Sequence, residues 1–186
     1  RNGADVTLVC GPNALHTTHP QVKRMDVVSA SDMYKACMDD FKHSDITVMA
    51  AAVADYKPIH AAASKIKKEG GKGLTQIELE QTTDILTELG KLKKNNQILV
   101  GFALETDGEL EHARAKLNKK NLDFVVLNSL RDTGAGFGTD SNKITIIDKH
   151  NKTEIFELKG KTEVARDIVE KIKSLLPQAI NGKAKT

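Results

Sequence analysis

Short, almost unbroken apolar runs alternate along this chain with longer stretches in which apolar positions recur every three or four residues, the pattern of buried parallel strands separated by amphipathic helices. The runs at residues 5–10, 46–54 (ITVMAAAVA), 98–104 and 123–127 predict strands. The second is apolar enough on both sides to predict a central strand of a parallel sheet. Helices are expected from a cap at Ser31 to about Lys42, from a cap at Thr82 or Thr83 to about Lys94, from Gly108 to Lys120, and from Lys161 to Leu176. A polar loop after Gly11 and Pro12 runs to about Val22, and residues 26–29 lead into the first helix. Residues 143–148 and 153–158 predict a hairpin that turns around His150 and Asn151. Residues 1–4 read as the end of a helix, with Gly3 supplying left-handed backbone, so the pattern opens in mid-unit. The expectation is an α/β domain with a Rossmann-like, mostly parallel sheet flanked by helices, whose first β-α unit lies upstream of Arg1. The domain spans residues 1–176, and 177–186 form a loose tail.

Composition narrows the function classes. The 186 residues carry 28 Lys and Arg against 25 Asp and Glu, a net charge of +3, too even for general nucleic-acid binding. With no Trp and 4% aromatics the chain lacks stacking platforms for single strands. No apolar stretch approaches the roughly 18 residues of a membrane span. Only Cys10 and Cys37 occur, and Cys10, in an apolar run, is expected as a buried free thiol in a reducing cytoplasm.

Three predicted strands end in polar residues, at Asp55, at Glu105 and Thr106, and at Asn128. In an open parallel sheet those carboxyl ends share one edge, where ligands bind. Any one of them alone is explained by loops facing water; three together point to a site. Lys65, Lys67, Lys68 and Lys72 sit in a glycine-rich stretch, followed over residues 75–80 by alternating apolar and charged positions, which suits a basic flap over a polyphosphate or simply a solvated turn. Lys116 and Lys120 share a helix face, where complementing the helix dipole is the plainer explanation. His16 and His19 lack a third ligand and read as surface histidines. Gly134, Gly136 and Gly138 precede a strand rather than a helix and make a poor dinucleotide fingerprint.

AAVADYKP (51–58), KIKK (65–68), GFALETD (101–107), ARAKLNKKNLD (113–123) and GFGTDSNK (136–143) occur in this order, and together they resemble phosphopantothenoylcysteine synthetase over residues 3–176. The resemblance implies a ligase of coenzyme A biosynthesis that joins 4'-phosphopantothenate to cysteine through an acyl-nucleotide. The GFALETD segment resembles the bacterial, CTP-using form rather than the ATP form. It implies nucleotide contacts at Met49, Ala50, Ala51 and Asp55, with Asp55 also near Mg²⁺. It implies a catalytic, nucleotide-binding flap lysine at Lys65, a contacting helix start at Thr83, Asp84, Ile85 and Leu86, Phe102 beside the base, and Lys116 and Lys120 on the triphosphate. Thr83 departs from the proline usual in bacterial members. A homodimer, and an upstream FMN-dependent decarboxylase half in the same polypeptide, are further implications, as is a glycine-rich segment with an intermediate-binding asparagine upstream of these residues. Two other classes compete: an NAD(P)-dependent oxidoreductase of the same architecture, and a non-catalytic nucleotide sensor.

Overall fold

A computed structural model of the chain describes residues 3–60, 64, 76–105, 108–129 and 140–176. Strands β1 (Val6–Cys10) and β2 (Val22–Asp26) precede helix α1 (Ala30–Phe41) and β3 (Ile46–Met49). Two short strands, β4 (Tyr56–Pro58) and β5 (Leu79–Gln81), precede α2 (Ile85–Leu92), β6 (Ile98–Glu105), α3 (Glu109–Lys119) and β7 (Phe124–Ser129). The described chain finishes with β8 (Ser141–Asn142), β9 (Ile144–Asp148), β10 (Thr153–Ile155), β11 (Lys159–Gly160) and α4 (Lys161–Leu175).

The main sheet has the order β10-β9-β7-β6-β3. β3, β6 and β7 run parallel, while β9 and β10 fold back antiparallel as the expected hairpin. Alternate residues of the inner strands feed two cores. Leu99 and Ala103 of β6, with Val125 and Leu127 of β7, face one core shared with Leu86 and Leu89 of α2 and Leu117 of α3. Val100, Phe124 and Val126 face the other, closed by Val164, Ile168 and Ile172 of α4, with Phe102 packed against it. Both faces are therefore apolar, as a helix-covered sheet requires, and each fully buried Leu, Ile or Phe contributes about 1.5–3 kcal/mol. β1 and β2 form a separate parallel pair, and Val9 joins the first core beside Met33 of α1.

Several expectations change. The predicted strand at 46–54 ends at Met49, lies at the edge of the described five-stranded sheet, and leaves Val48 42% exposed. The ladder with β6 stops at the Met49 and Gly101 pair, and residues 50–54 continue as a loop that lines the site. β2 lies where the sequence reads as the end of a polar loop; its VKRMD pattern carries three charges and only a half-buried face. Ser29, not Ser31, caps α1: its Oγ accepts the N–H of Asp32 at 3.1 Å while the Asp32 carboxylate accepts the N–H of Ser29. Asp84, not Thr82 or Thr83, caps α2, accepting the N–H of Thr87 at 3.0 Å. Cys10 and Cys37 are free thiols, half-buried rather than enclosed. Gly3 does take positive φ, at 80°, and Asn151 turns the hairpin at φ 61°.

At the amino edge of the sheet, buried Asp123 accepts from Lys93 Nζ at 2.9 Å, Lys149 Nζ at 3.0 Å and the N–H of Leu99 at 2.9 Å. Burial pushes its carboxyl up, but these donors together hold it below the ordinary range. Gln97 similarly closes the end of α1, its Nε2 donating to the carbonyls of Phe41 and Ser44.

Candidate functional site

The parallel strands β3, β6 and β7 end on one edge, and a cavity of about 730 Å³ wraps over it from the α2–α3 face to the α4 face. Met49, Ala50, Ala51 and Asp55 line it from the first loop, Thr83, Asp84, Ile85 and Leu86 from the start of α2, Phe102 from β6, and Lys116 and Lys120 from α3. These residues are separated by up to 71 positions (120 minus 49) and become neighbours because parallel strands deliver their carboxyl ends together. Lys65 lies outside the described residues, as do Thr106, Asp107 and the 134–138 glycines.

One arm of the cavity is cationic. Lys116, half-buried, donates to the Phe102 carbonyl at 2.6 Å. Burial pushes its ammonium below the ordinary lysine range, and neighbouring Lys120 adds to this. Lys120 pairs with Asp84 at 2.7 Å. Burial raises the Asp84 carboxyl, yet Lys120 and the N–H of Thr87 outweigh it and hold the group below its usual value. Both lysines are thus ordered, one by a carbonyl and the other by a single carboxylate. A polyanion in this arm would meet two fixed ammonium groups at the mouth of a helix start.

Thr82 stitches the two loops of this arm together. Its N–H donates to the Asp55 carbonyl at 2.8 Å and its Oγ1 to the Ala54 carbonyl at 2.6 Å. The sequence offered Thr82 as a helix cap; its structural role is to hold Asp55 beside α2. Below it, α2 presses on the end of α3, since Gly90 has no room for a side chain against the Lys120 carbonyl.

The other arm is apolar with an amide floor. Phe102 and Leu104 of β6 face Val164, Ala165 and Ile168 of α4, and Asn128 and Asn142 close the end next to Lys161. Sequence patterning missed the α4 contribution entirely, because Val164 and Ile168 have the spacing of any core-facing helix and Lys161 reads as an ordinary first-turn residue. Among the described residues, no group of three or more His, Cys, Asp or Glu is placed to hold a metal ion. His16 is exposed, and half-buried His19 accepts the N–H of Gln21 through Nδ1.

Fold and cavity together define a Rossmann-like α/β domain with a cavity, cationic in one arm, across the carboxyl edge of its parallel strands. The chain belongs to the family of the DNA/pantothenate metabolism flavoprotein C-terminal domain, whose pattern matches residues 1–176. A relative from an unknown prokaryotic organism, named as a cysteine/cysteine sulfinic acid decarboxylase, is 53% identical over 94% of this chain and 48% of its own. The coenzyme A biosynthesis bifunctional protein CoaBC of Bacillus subtilis is 42% identical over 95% of this chain and 43% of its own. The chain therefore spans less than half the length of these relatives. A crystal structure of the C-terminal domain of a CoaBC protein matches with TM-score 0.74 at 38% identity, covering 93% of this chain and 77% of that one. No helix among the described residues is long and apolar enough to cross a membrane.

Proposed function

We propose that this chain is the nucleotide-binding and ligase part of a phosphopantothenate–cysteine ligase that uses CTP in coenzyme A biosynthesis. The observation that carries the reading is the single two-armed cavity, with Lys116 and Lys120 in one arm and Phe102 with the asparagine pair in the other, sized and charged for a nucleoside triphosphate. Membership of the family and 42% identity to CoaBC support it.

In the proposed reaction a carboxylate oxygen of 4'-phosphopantothenate attacks the α-phosphorus of CTP, forming a P–O bond as the bond to pyrophosphate breaks. Cysteine's amine then attacks the acyl carbon; a C–N bond forms, the bond to CMP breaks and the amine gives up a proton. Lys116 and Lys120 offset triphosphate charge, while Thr82 holds the 50–55 loop where its backbone and Asp55 meet the ligand. Lys65 of the flap is proposed to stabilise charge during transfer. Asp55, among the carboxylates that line the cavity, would hold a Mg²⁺ accompanying the triphosphate, since Mg²⁺ is ordinarily held by one or two carboxylates plus substrate phosphates. Bound there, it supplies further charge neutralisation.

The working assembly is proposed as a cytoplasmic homodimer, consistent with two free thiols. The β4–β5 ribbon exposes Tyr56, Ile59, Ile77 and Leu79, and a two-stranded ribbon is marginal unless something covers it. We assign that cover to a second copy, with the FMN-binding decarboxylase half belonging to the greater length of the relatives. Among the described residues β1 and β3 each pair on one side only, which suits a further parallel strand joining the two sheets.

Thermal unfolding with Mg²⁺ and separate CTP, ATP or NADPH tests the nucleotide assignment. Ligand at 100 times Kd stabilises by about 2.7 kcal/mol, roughly 5–11 °C for a domain this size. Selective stabilisation by CTP is expected; a response to NADPH alone would move the reading to an oxidoreductase. Turnover is read as CMP release that requires phosphopantothenate and cysteine, and Lys65→Ala should lower it far more than CTP affinity, which a mere nucleotide sensor would not show. The 53% identical relative favours a second reading, service within a cysteine or cysteine sulfinate decarboxylase. CO₂ release from either amino acid without CTP would establish that one.

A further inference from the structure

The amide pair at the end of the apolar arm has a defined polarity. Asn128, on β7, is held in register between Leu104 of β6 and Ile144 of β9. Asn142, 8% exposed, is held by the pairing of β8 with β11. The backbone N–H of Lys143 donates to Asn142 Oδ1 at 3.0 Å, which fixes the Asn142 amide with its NH₂ directed away from Lys143. That NH₂ donates from Nδ2 to Asn128 Oδ1 at 3.1 Å. With its oxygen accepting, Asn128 has its own Nδ2 as the group to offer the cavity it lines.

Resting on the nucleotide reading of this cavity, we propose that Asn142 is a positioning residue that turns the Asn128 amide donor-outward, so that the apolar arm selects the acceptor edge of a nucleobase. The surroundings give that polarity its weight. Phe102, Val164 and Ile168 offer a base no polar partner, Lys161 is itself a donor, and a ligand donor facing the Asn128 NH₂ would be left unmatched. Cytosine presents O2 and N3 as acceptors on its pairing edge. The phosphates, in the cationic arm beside Lys116 and Lys120, are indifferent to the amide.

Asn142→Asp is close to isosteric and keeps the bond from the Lys143 N–H, but it presents an acceptor to the Asn128 oxygen. The Asn128 amide then gains by rotating, which turns its oxygen to the cavity. Calorimetric titration of the whole chain with CTP and, separately, inorganic tripolyphosphate, both with Mg²⁺, separates the arms. The expected result is a loss of about tenfold or more in CTP affinity for Asn142→Asp, with tripolyphosphate affinity held within about twofold, which also reports a folded protein. In an Asn128→Ala background the Asn142→Asp change should have no further effect on CTP, because both act through one donor. Unchanged CTP affinity in Asn142→Asp, equal losses for both ligands, or a further loss in the Asn128→Ala background would each overturn the proposal while leaving nucleotide binding intact. If the unsubstituted protein binds CTP no tighter than tripolyphosphate, the nucleotide reading fails and the proposal falls with it.

Discussion

Gly90 sits inside α2, where intrinsic propensity favours alanine by about 1 kcal/mol. The structure predicts the opposite sign for Gly90→Ala. A Cβ at this position would lie 2.1 Å from the carbonyl oxygen and 2.8 Å from the carbonyl carbon of Lys120. Side-chain carbons essentially never approach closer than 3.0 Å, so α2 or the end of α3 must retreat by at least 0.9 Å (3.0 minus 2.1). The obstacle is backbone and cannot rotate aside. Retreat also strains the bond from Asn121 Nδ2 to the Gly90 carbonyl at 3.0 Å, worth about 1 kcal/mol net. With an overpacking cost of about 1–3 kcal/mol, less the helix gain, the net loss is about 1–3 kcal/mol, or roughly 2–12 °C in Tm. Because Lys120 carries the Asp84 pair at the cavity, the same variant should bind tripolyphosphate more weakly than the parent. Thermal and urea unfolding followed by circular dichroism provide the assay. An unchanged or raised Tm would refute the close approach of α2 to Lys120.

Lys120→Ala removes one ammonium from the cationic arm, and titration with tripolyphosphate should show a loss of about 1.5–3 kcal/mol in binding. Asp123→Ala should cost about 3–5 kcal/mol in urea unfolding, because Lys93, with 10% of its side chain exposed, and the Leu99 N–H lose a buried partner. Asp123 and Asp148 both titrate below their ordinary value of 3.8 when folded; burial pushes each up, and lysine ammoniums with backbone N–H groups outweigh it. Their stabilisation is therefore complete well above 3.8 and lost as pH falls through the lower folded values, so the urea midpoint should drop as pH falls from 3.8 toward those values. Lys116 titrates below 10.5, so phosphate affinity, which needs the charged form, should begin to fall with rising pH before an ordinary lysine would lose its proton; Lys116→Arg should abolish that early fall.

Much of the fold was legible because it depends on local pattern. The all-apolar runs at β6 and β7 cannot face water, and their four facing sets, such as Leu99 with Ala103 against Val100 with Phe102, require helices on both sides. The convergence of Asp55, Glu105 and Asn128 on one edge followed from parallel strand order. Where local cues were ambiguous, tertiary pairing decided. The alanines after Met49 are as apolar as a strand interior, but the ladder of β3 with β6 stops at Met49 and Gly101, and the alanines line the cavity as a loop. Ser29 and Ser31 both resemble caps, and only Ser29 has Asp32 three residues on to complete the reciprocal pair.

By itself the sequence determined the α/β class, the family resemblance and the positions of the chemically active residue types, since periodicity, composition and motif order are properties of the chain. Only the tertiary structure decided what those residues do to one another. Lys116 and Lys120 share a helix face in any helix, yet the Phe102 carbonyl and the Asp84 carboxylate that order them arrive from other elements. Asn128 and Asn142 are 14 positions apart and become one hydrogen-bonded unit because β7 pairs with β9 and β8 with β11. Val164 and Ile168 become a wall of the cavity because α4 folds back over β6, a contact no spacing along the chain encodes.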